Sequence, residues 1–250
     1  MVPDIRRCGL SGNQLKLIAV VSMLADHIGL AIIGNGILKS FWEQGLEPGF
    51  WPGLYQGMRI FGRASFPVFC FLLTEGYVHT SSQKKYALRL GLFALLSEPP
   101  FDYMVAGKII SWENQSVMVT LLLGFLMLWA LEAVRKRFHS AKLLQIGVIA
   151  LFAGLSILLK SDYSYGGILL IAFLYWFRQD RMAQCGVGLV WMSLFLRVPQ
   201  YVPGLALGFG AMYCYNGKRG RQNGKGMQYF FYLFYPLHML VIVLLHQLLF

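Results

Sequence analysis

The stretch Leu15–Ile33, LKLIAVVSMLADHIGLAII, is apolar at nearly every position and interrupted only by Lys16, Ser22, Asp26 and His27. A helix crossing the hydrocarbon core of a bilayer needs about 20 mostly apolar residues. This run meets that length and outruns a signal-peptide core, so it reads as a retained transmembrane helix. Further runs lie near Met58–Tyr77, Tyr86–Val105, Val117–Val134, Leu143–Leu159, Tyr165–Phe177, Ala183–Leu196, Val202–Tyr215 and Gln228–Phe250. Together they make about nine spans. The sixth to eighth are short, which tilt, re-entry or mutual burial would accommodate. The expected fold is all-α, a polytopic helical bundle in a membrane, with one domain over residues 1–250.

Composition points the same way. Of 250 residues, 57% are hydrophobic and 13% charged, where a soluble domain carries about a quarter charged. Mean hydropathy is +0.56. Soluble enzymes and disordered chains are excluded, because no water-facing shell of this size could be built from so few polar groups. The net charge of +11 would suggest nucleic acid on a soluble protein. Here the basic residues sit in short loops, so no nucleic-acid partner is expected. Arg6 and Arg7, Lys84 and Lys85, Arg135 to Arg137 with Lys142, Arg178 and Arg181, and Lys218, Arg219, Arg221 and Lys225 fall on one side. The other side carries isolated charges such as Lys39, Glu43, Lys108, Lys160 and Arg197. That asymmetry predicts a cytoplasmic N-terminus in the inner membrane, facing anionic lipid. The cysteines Cys8, Cys70, Cys185 and Cys214 form no C-x-x-C pair, so neither a disulfide framework nor a zinc site is expected, and no other metal is required.

Ionisable groups inside spans are costly and are functional candidates. They concentrate in the first three spans. Lys16 and His27 lie eleven positions apart, about three turns, and so share a helix face roughly 16 Å apart. Asp26 is placed to orient an imidazole of another helix or to bind an arginine; an interhelical hydrogen bond holding the bundle is the alternative for His27. Arg59 and Arg63 share a face of the second span, as do Glu75 and His79. Arg59 could snorkel to the interface, while Arg63 needs a carboxylate or phosphate partner. The third span carries Arg89, then Glu98-Pro99-Pro100 and Asp102. The prolines are expected to end or kink it, and Glu98 could be a structural partner of Arg63.

Sorted by depth, Asp26, His27, Arg63 and Glu98 form an outer group, and Lys16, Glu75, His79 and Arg89 an inner one. A basic inner mouth suits a polyanionic donor from the cytoplasm, and a His with a carboxylate suits proton transfer. Acyl transfer needs such a base and donors for the oxyanion. Phosphoryl transfer would need clustered carboxylates around a metal, which the chain lacks. Ser116 and Thr120 on the fourth span, and Asp162 and Tyr163 in the Asp162–Gly167 turn, are candidates for acceptor contact. Packing hydroxyls and a plain interfacial turn are the alternatives. Tyr235-Pro236-Leu237-His238 is expected to kink the last span, with His238 facing the cavity or a neighbour. The basic, glycine-rich Asn216–Gly226 segment reads as a flexible connector.

Taken together, these motifs resemble the TraX family, whose founding activity is N-terminal acetylation of a conjugative pilin. The resemblance rests on Leu15-Lys16 through Met23 to Asp26-His27-Ile28-Gly29. It continues in Arg59–Pro67, Glu75-Gly76 and His79-Thr80, then in Lys85-Tyr86, Arg89-Leu90, Phe93-Ala94 and Ser97 to Asp102. Thr120–Gly124 and Asp162-Tyr163 also fit, and where the family usually carries Asn this chain has Ser116. The spacing of Lys16 and His27 is further similar to a motif of the wider acyltransferase-3 membrane enzymes. A membrane-embedded His also serves the lysosomal heparan glucosaminide acetyltransferase.

The resemblance implies an acetyl-CoA-dependent acyltransferase, with His27 as catalytic base or transient acyl carrier. Asp26 and Glu98 would orient or balance charge, and Arg59 and Arg63 would bind the donor or an oxyanion. Lys16, Arg89 and His79, with Glu75 beside them, would form the CoA-contacting face. The acceptor could be a peptide N-terminus, a glycan, or a small amine or alcohol. Two other expectations stand beside this one. A proton-coupled transporter of an organic anion would use the same acids and His as a relay, although the chain shows no internal repeat. A non-catalytic assembly protein would use the charges as structural pairs.

Overall fold

In chain order the helices are α1 (Gly12–Ile28), α2 (Lys39–Glu43), α3 (Trp51–Gly62), α4 (Ser65–His79), α5 (Gln83–Ala106) and α6 (Val117–Arg137). They continue with α7 (Lys142–Leu158), α8 (Ser164–Trp176), α9 (Arg181–Leu196), α10 (Val202–Tyr213) and α11 (Lys225–Leu249). A π-helical stretch, Gly29–Leu38, joins α1 to α2, and a 3₁₀ turn, Pro199–Tyr201, precedes α10. The computed structural model describes residues 9–138, 142–218, 220 and 225–250, with only the backbone of 225–229. Arg6, Arg7, Cys8, Arg219, Arg221 and the side chain of Lys225, used above for sidedness and thiol chemistry, lie outside the described residues, as does part of the Asn216–Gly226 segment. Among the described residues there is no β-strand beyond two isolated bridges. The chain divides into two units, Met1–Phe69 with Leu189–Phe250, and Cys70–Gly188.

In the first unit α1 starts at a capping box. The Ser11 hydroxyl accepts the Gln14 N–H at 3.4 Å, and the Gln14 side chain accepts the Ser11 N–H at 2.8 Å, satisfying two donors that the helix start leaves unpaired. The helix then runs unbroken from Gly12 to Glu43. The expected span end at Ile33 is therefore too early. Gly34, Asn35 and Gly36 are residue types that favour turns, yet they stay helical here. A Cβ on Gly34 would sit 2.9 Å from the Tyr55 ring, and one on Gly36 would fall on the Phe250 ring. Lys39 and Glu43 are not loop charges but an exposed i,i+4 pair on α2, 3.8 Å apart.

The second expected span is likewise two helices. After Gly62 the chain tightens, the Arg63 N–H donating to Ile60 O at 3.1 Å and the Ala64 N–H to Phe61 O at 3.2 Å. The Ser65 hydroxyl takes up Gly62 O at 2.8 Å. Two glycines bring α10 against this junction: a Cβ on Gly204 would collide with the Ile60 carbonyl oxygen, and one on Gly208 would lie 2.7 Å from that of Ala64. Small residues that let backbones touch are the usual device of helix association in lipid.

The second unit is built around α6, with α5, α7 and α8 packed on it and Phe125, Met127 and Leu128 fully enclosed. Ser82 caps α5, its hydroxyl accepting the Lys85 N–H at 3.3 Å. Gly107, at φ 67°, closes the helix from the left-handed region. Neither Pro99 nor Pro100 ends it: α5 continues past both to Ala106, and Pro236 likewise lies inside α11. Proline removes a donor but leaves the following turn intact, so a helix held by its neighbours can run on. Gln184 reaches back to the end of α8, its amide donating to Leu174 O at 2.6 Å.

Large apolar side chains stand outward on α5 (Leu88, Leu92, Leu95), α7 (Leu143, Leu144, Ile146, Leu151) and α11 (Leu240, Val241, Leu244). Faces so continuous suit hydrocarbon rather than water. Among the described residues, three helices are long and apolar enough to cross a membrane: Gly12–Glu43, Val117–Arg137 and Phe230–Leu249.

Candidate functional site

Asp26, His27, Arg59 and Arg63, the centre of the sequence reading, converge in the first unit. Asp26 is nearly buried on α1 and accepts from two guanidiniums. Arg59 Nη1 donates to Oδ2 at 2.7 Å, while Arg63 Nη2 reaches Oδ1 at 2.6 Å and Oδ2 at 2.8 Å. Arg63 Nε also donates to Arg59 O at 3.2 Å, and its guanidinium lies over the Tyr201 ring, 5.2 Å from the centroid. The trio carries a net charge of +1, two cations less one anion, and Arg59 Nε is buried without a hydrogen-bond partner. Gly62 makes the approach possible, since a Cβ there would fall on Asp26. The carboxylate that Arg63 requires is thus Asp26, and Arg59 is an interhelical partner rather than a snorkelling residue.

One residue along, His27 meets a second imidazole. Its Nδ1 lies 2.7 Å from His238 Nε2, with the ring planes 3° apart and the centroids 5.0 Å apart. His238 Nδ1 in turn lies 2.7 Å from Phe234 O, and Tyr235 presents its ring at 73° to His27. His238 is buried and His27 half-buried. Lys16, on the same helix, places its ammonium over Phe231, 5.1 Å from the centroid.

The remaining sequence-derived candidates belong to the second unit. There Glu98 is held at the start of α6: the Ser116 hydroxyl donates to it at 2.7 Å and the Ser116 N–H at 3.1 Å. A carboxylate at a helix N-terminus is favourably placed against the helix dipole. Asp102 accepts the Ser111 N–H at 2.7 Å through Oδ2, and its Oδ1 is buried without a partner. Thr120 donates to the backbone oxygen of Asp162, and the Asp162 carboxylate accepts the Tyr163 N–H at 2.9 Å. Tyr163 and Ser164 have φ of 57° and 39°, a region side chains rarely occupy. His79 faces the carbonyl of Glu75, at 2.8 Å, rather than its carboxylate. Arg89 lies over Tyr86, 5.5 Å from the centroid, with Nε unpartnered. Among the described residues, no group of three or more His, Cys, Asp or Glu side chains is arranged to hold a metal.

A family profile described as "TraX protein" matches residues 11–246. The chain belongs to the TraX family. It is also 28% identical over 248 residues to the "Probable fimbrial assembly protein FimC, serogroup H1" of Dichelobacter nodosus, covering 93% of this chain and 94% of that one. No solved structure matches.

In this TraX protein the sequence reading had no place for Tyr201 in the first-unit cluster and left the neighbour of His238 open. Tyr201 carries no local signal in the sequence, and Tyr235 stands out only as part of Tyr-Pro-Leu-His. His238 was visible in Tyr-Pro-Leu-His, but its partner lies 211 positions away, beyond any local periodicity. Tyr77, which donates to Glu132, gave no signal because Glu132 precedes a basic run and reads as part of it. As it stands, the first-unit arrangement offers one imidazole nitrogen beside a net positive charge in a low-dielectric setting. That suits proton abstraction next to a developing anion.

Proposed function

We propose that the protein is an integral membrane acyltransferase using acetyl-CoA, within one bundle of about nine crossings in the inner membrane, N-terminus in the cytoplasm. It would acetylate an amine or hydroxyl of a membrane-proximal or extracytoplasmic acceptor. The carrying observation is His27: its Nδ1 is engaged by His238, and Nε2 has no hydrogen-bond partner among the described residues. The acetyl thioester supplies an activated carbonyl. His27 Nε2 accepts the proton of the acceptor amine as its nitrogen bonds to the carbonyl carbon. The carbon–sulfur bond breaks, and the same nitrogen returns the proton to the leaving thiolate. Arg59 and Arg63 suit the carbonyl oxygen as negative charge builds there. Because Asp26 already engages both, they suit that single charge better than a diphosphate. For the CoA phosphates the sequence reading offers Lys16 in the first unit and, independently, Arg89 in the second, and each is tested by itself. The fimbrial-assembly relative favours a peptide acceptor.

A second reading has its own support. Two arginines sharing one carboxylate make a stable interhelical tie with no need of catalysis, as a non-catalytic assembly protein would require. Calorimetry of CoA and acetyl-CoA binding to detergent-purified protein separates the two. The enzyme reading expects micromolar binding, weakened in Lys16→Ala and Arg89→Ala and retained in His27→Ala. A folded protein that binds neither compound overturns it in favour of the assembly role.

A further inference from the structure

We propose that His238 is a positioning residue that holds His27 in a single tautomer, with the proton on Nδ1 and the lone pair on Nε2. The inference rests on the reading of His27 as the base, but its geometry stands without it. The chain of assignments begins at a backbone oxygen. Phe234 O can only accept, so His238 Nδ1, 2.7 Å away, must donate. In a neutral imidazole the other nitrogen is then an acceptor. His238 Nε2 therefore presents a lone pair to His27 Nδ1, 2.7 Å distant, and that nitrogen must carry the hydrogen. His27 Nε2 is left as the basic site.

The ring geometry supports this direction. With the planes 3° apart and the centroids 5.0 Å apart, the centroid separation is close to the N···N distance plus the two ring radii. The imidazoles therefore lie edge to edge in one plane, not face to face, and the Nδ1–H of His27 points along the His238 lone pair. The Nδ1–H form is the less favoured tautomer of a free neutral imidazole, so something in the fold must select it. A carboxylate or carbonyl does this for many functional histidines; here a second imidazole does, itself fixed by its own helix. Pro236 belongs to the same turn of α11, and His238 is buried, so the acceptor has little freedom to rotate away.

The test is ¹⁵N NMR of protein labelled at histidine, above the titration range of the rings. The chain has five histidines, and the His27 signals are those missing from His27→Asn. The expected result is a protonated Nδ1 and an unprotonated Nε2 for His27, kept in His238→Gln, whose amide oxygen can still accept. In His238→Leu the Nε2–H form should become dominant. A wild-type His27 protonated at Nε2 overturns the proposal, and so does a His238→Leu spectrum identical to wild type.

Turnover gives a second readout. His238→Leu should lower kcat about 100-fold with KM for acetyl-CoA little changed, and His238→Gln should recover most of that loss. Equal kcat losses in Gln and Leu would mean His238 matters only structurally. If the spectra come out as expected while neither CoA compound binds, the tautomer assignment holds and the acyltransferase reading alone falls.

Discussion

The two units bury similar polar groups and employ them differently. In the first, charges meet charges and imidazoles meet imidazoles across helices: Asp26 on α1 takes Arg59 and Arg63 from the α3–α4 junction, and His27 takes His238 from α11. In the second, acids and amides serve mainly the backbone. Glu98 holds Ser116, the residue that caps α6, Asp102 holds the Ser111 N–H, and Gln184 closes α8. A carboxylate consumed by a helix end is a fastener. An imidazole with one nitrogen fixed and the other open is a reagent. On the proposed acyl transfer, this difference would place proton transfer in the first unit and framing in the second, although the sequence scattered candidates over both.

The sharpest way to break this contrast is Asp26→Ala. It strands two mostly buried guanidiniums, so a loss of about 3–5 kcal/mol is expected, read as a fall in thermal unfolding temperature in detergent. Removing the arginines as well should recover part of it. A single mutant as stable as wild type would mean the cluster is well hydrated and the contrast false.

Next comes Gly204→Ala. Its new Cβ meets the backbone oxygen of Ile60, a group that cannot rotate away, so α10 must shift at a cost of about 1–3 kcal/mol. Gly210→Ala on the same helix meets nothing within 4 Å and is the control.

Glu98 sharpens the comparison within the second unit. Glu98→Ala leaves the Ser116 donors unsatisfied and should cost about 1–3 kcal/mol. Glu98→Gln keeps an acceptor and should stay near wild type in both stability and turnover. Loss of turnover in stable Glu98→Gln would return Glu98 to the catalytic role that sequence reasoning gave it.

The smallest effect is expected at Gly147 and Gly154 on α7, where a Cβ finds open space. Alanine there should stabilise slightly, by about 0.5–1 kcal/mol each.

Much of the fold was legible because apolar runs must be long enough for a membrane. The starts of α6, α7, α8 and α10 fall within two residues of those runs. The break at Arg63–Ala64 was hidden, since hydropathy averaged over a window stays high while two N–H groups change partners. The continuation of α5 past Pro99 and Pro100 was hidden for the opposite reason: local chemistry allowed a stop there, and the helix runs on to Ala106. At the site, the residue types were readable and the pairings were not. Asp26 could have served either an imidazole or an arginine, and packing decides that the carboxylate turns to the arginines and the imidazole to α11.

The unbroken helix from Gly12 to Glu43 carries a mechanical implication. At 32 residues its length is of the order of 45 Å, against a hydrocarbon core of about 30 Å. Its ends would stand in the headgroup layers, and tilt is one way for the apolar part to match a thinner or thicker slab. His27 sits near its middle, so lipids with shorter or longer acyl chains would swing the rod about that point and sweep its two ends, leaving the imidazole close to the pivot.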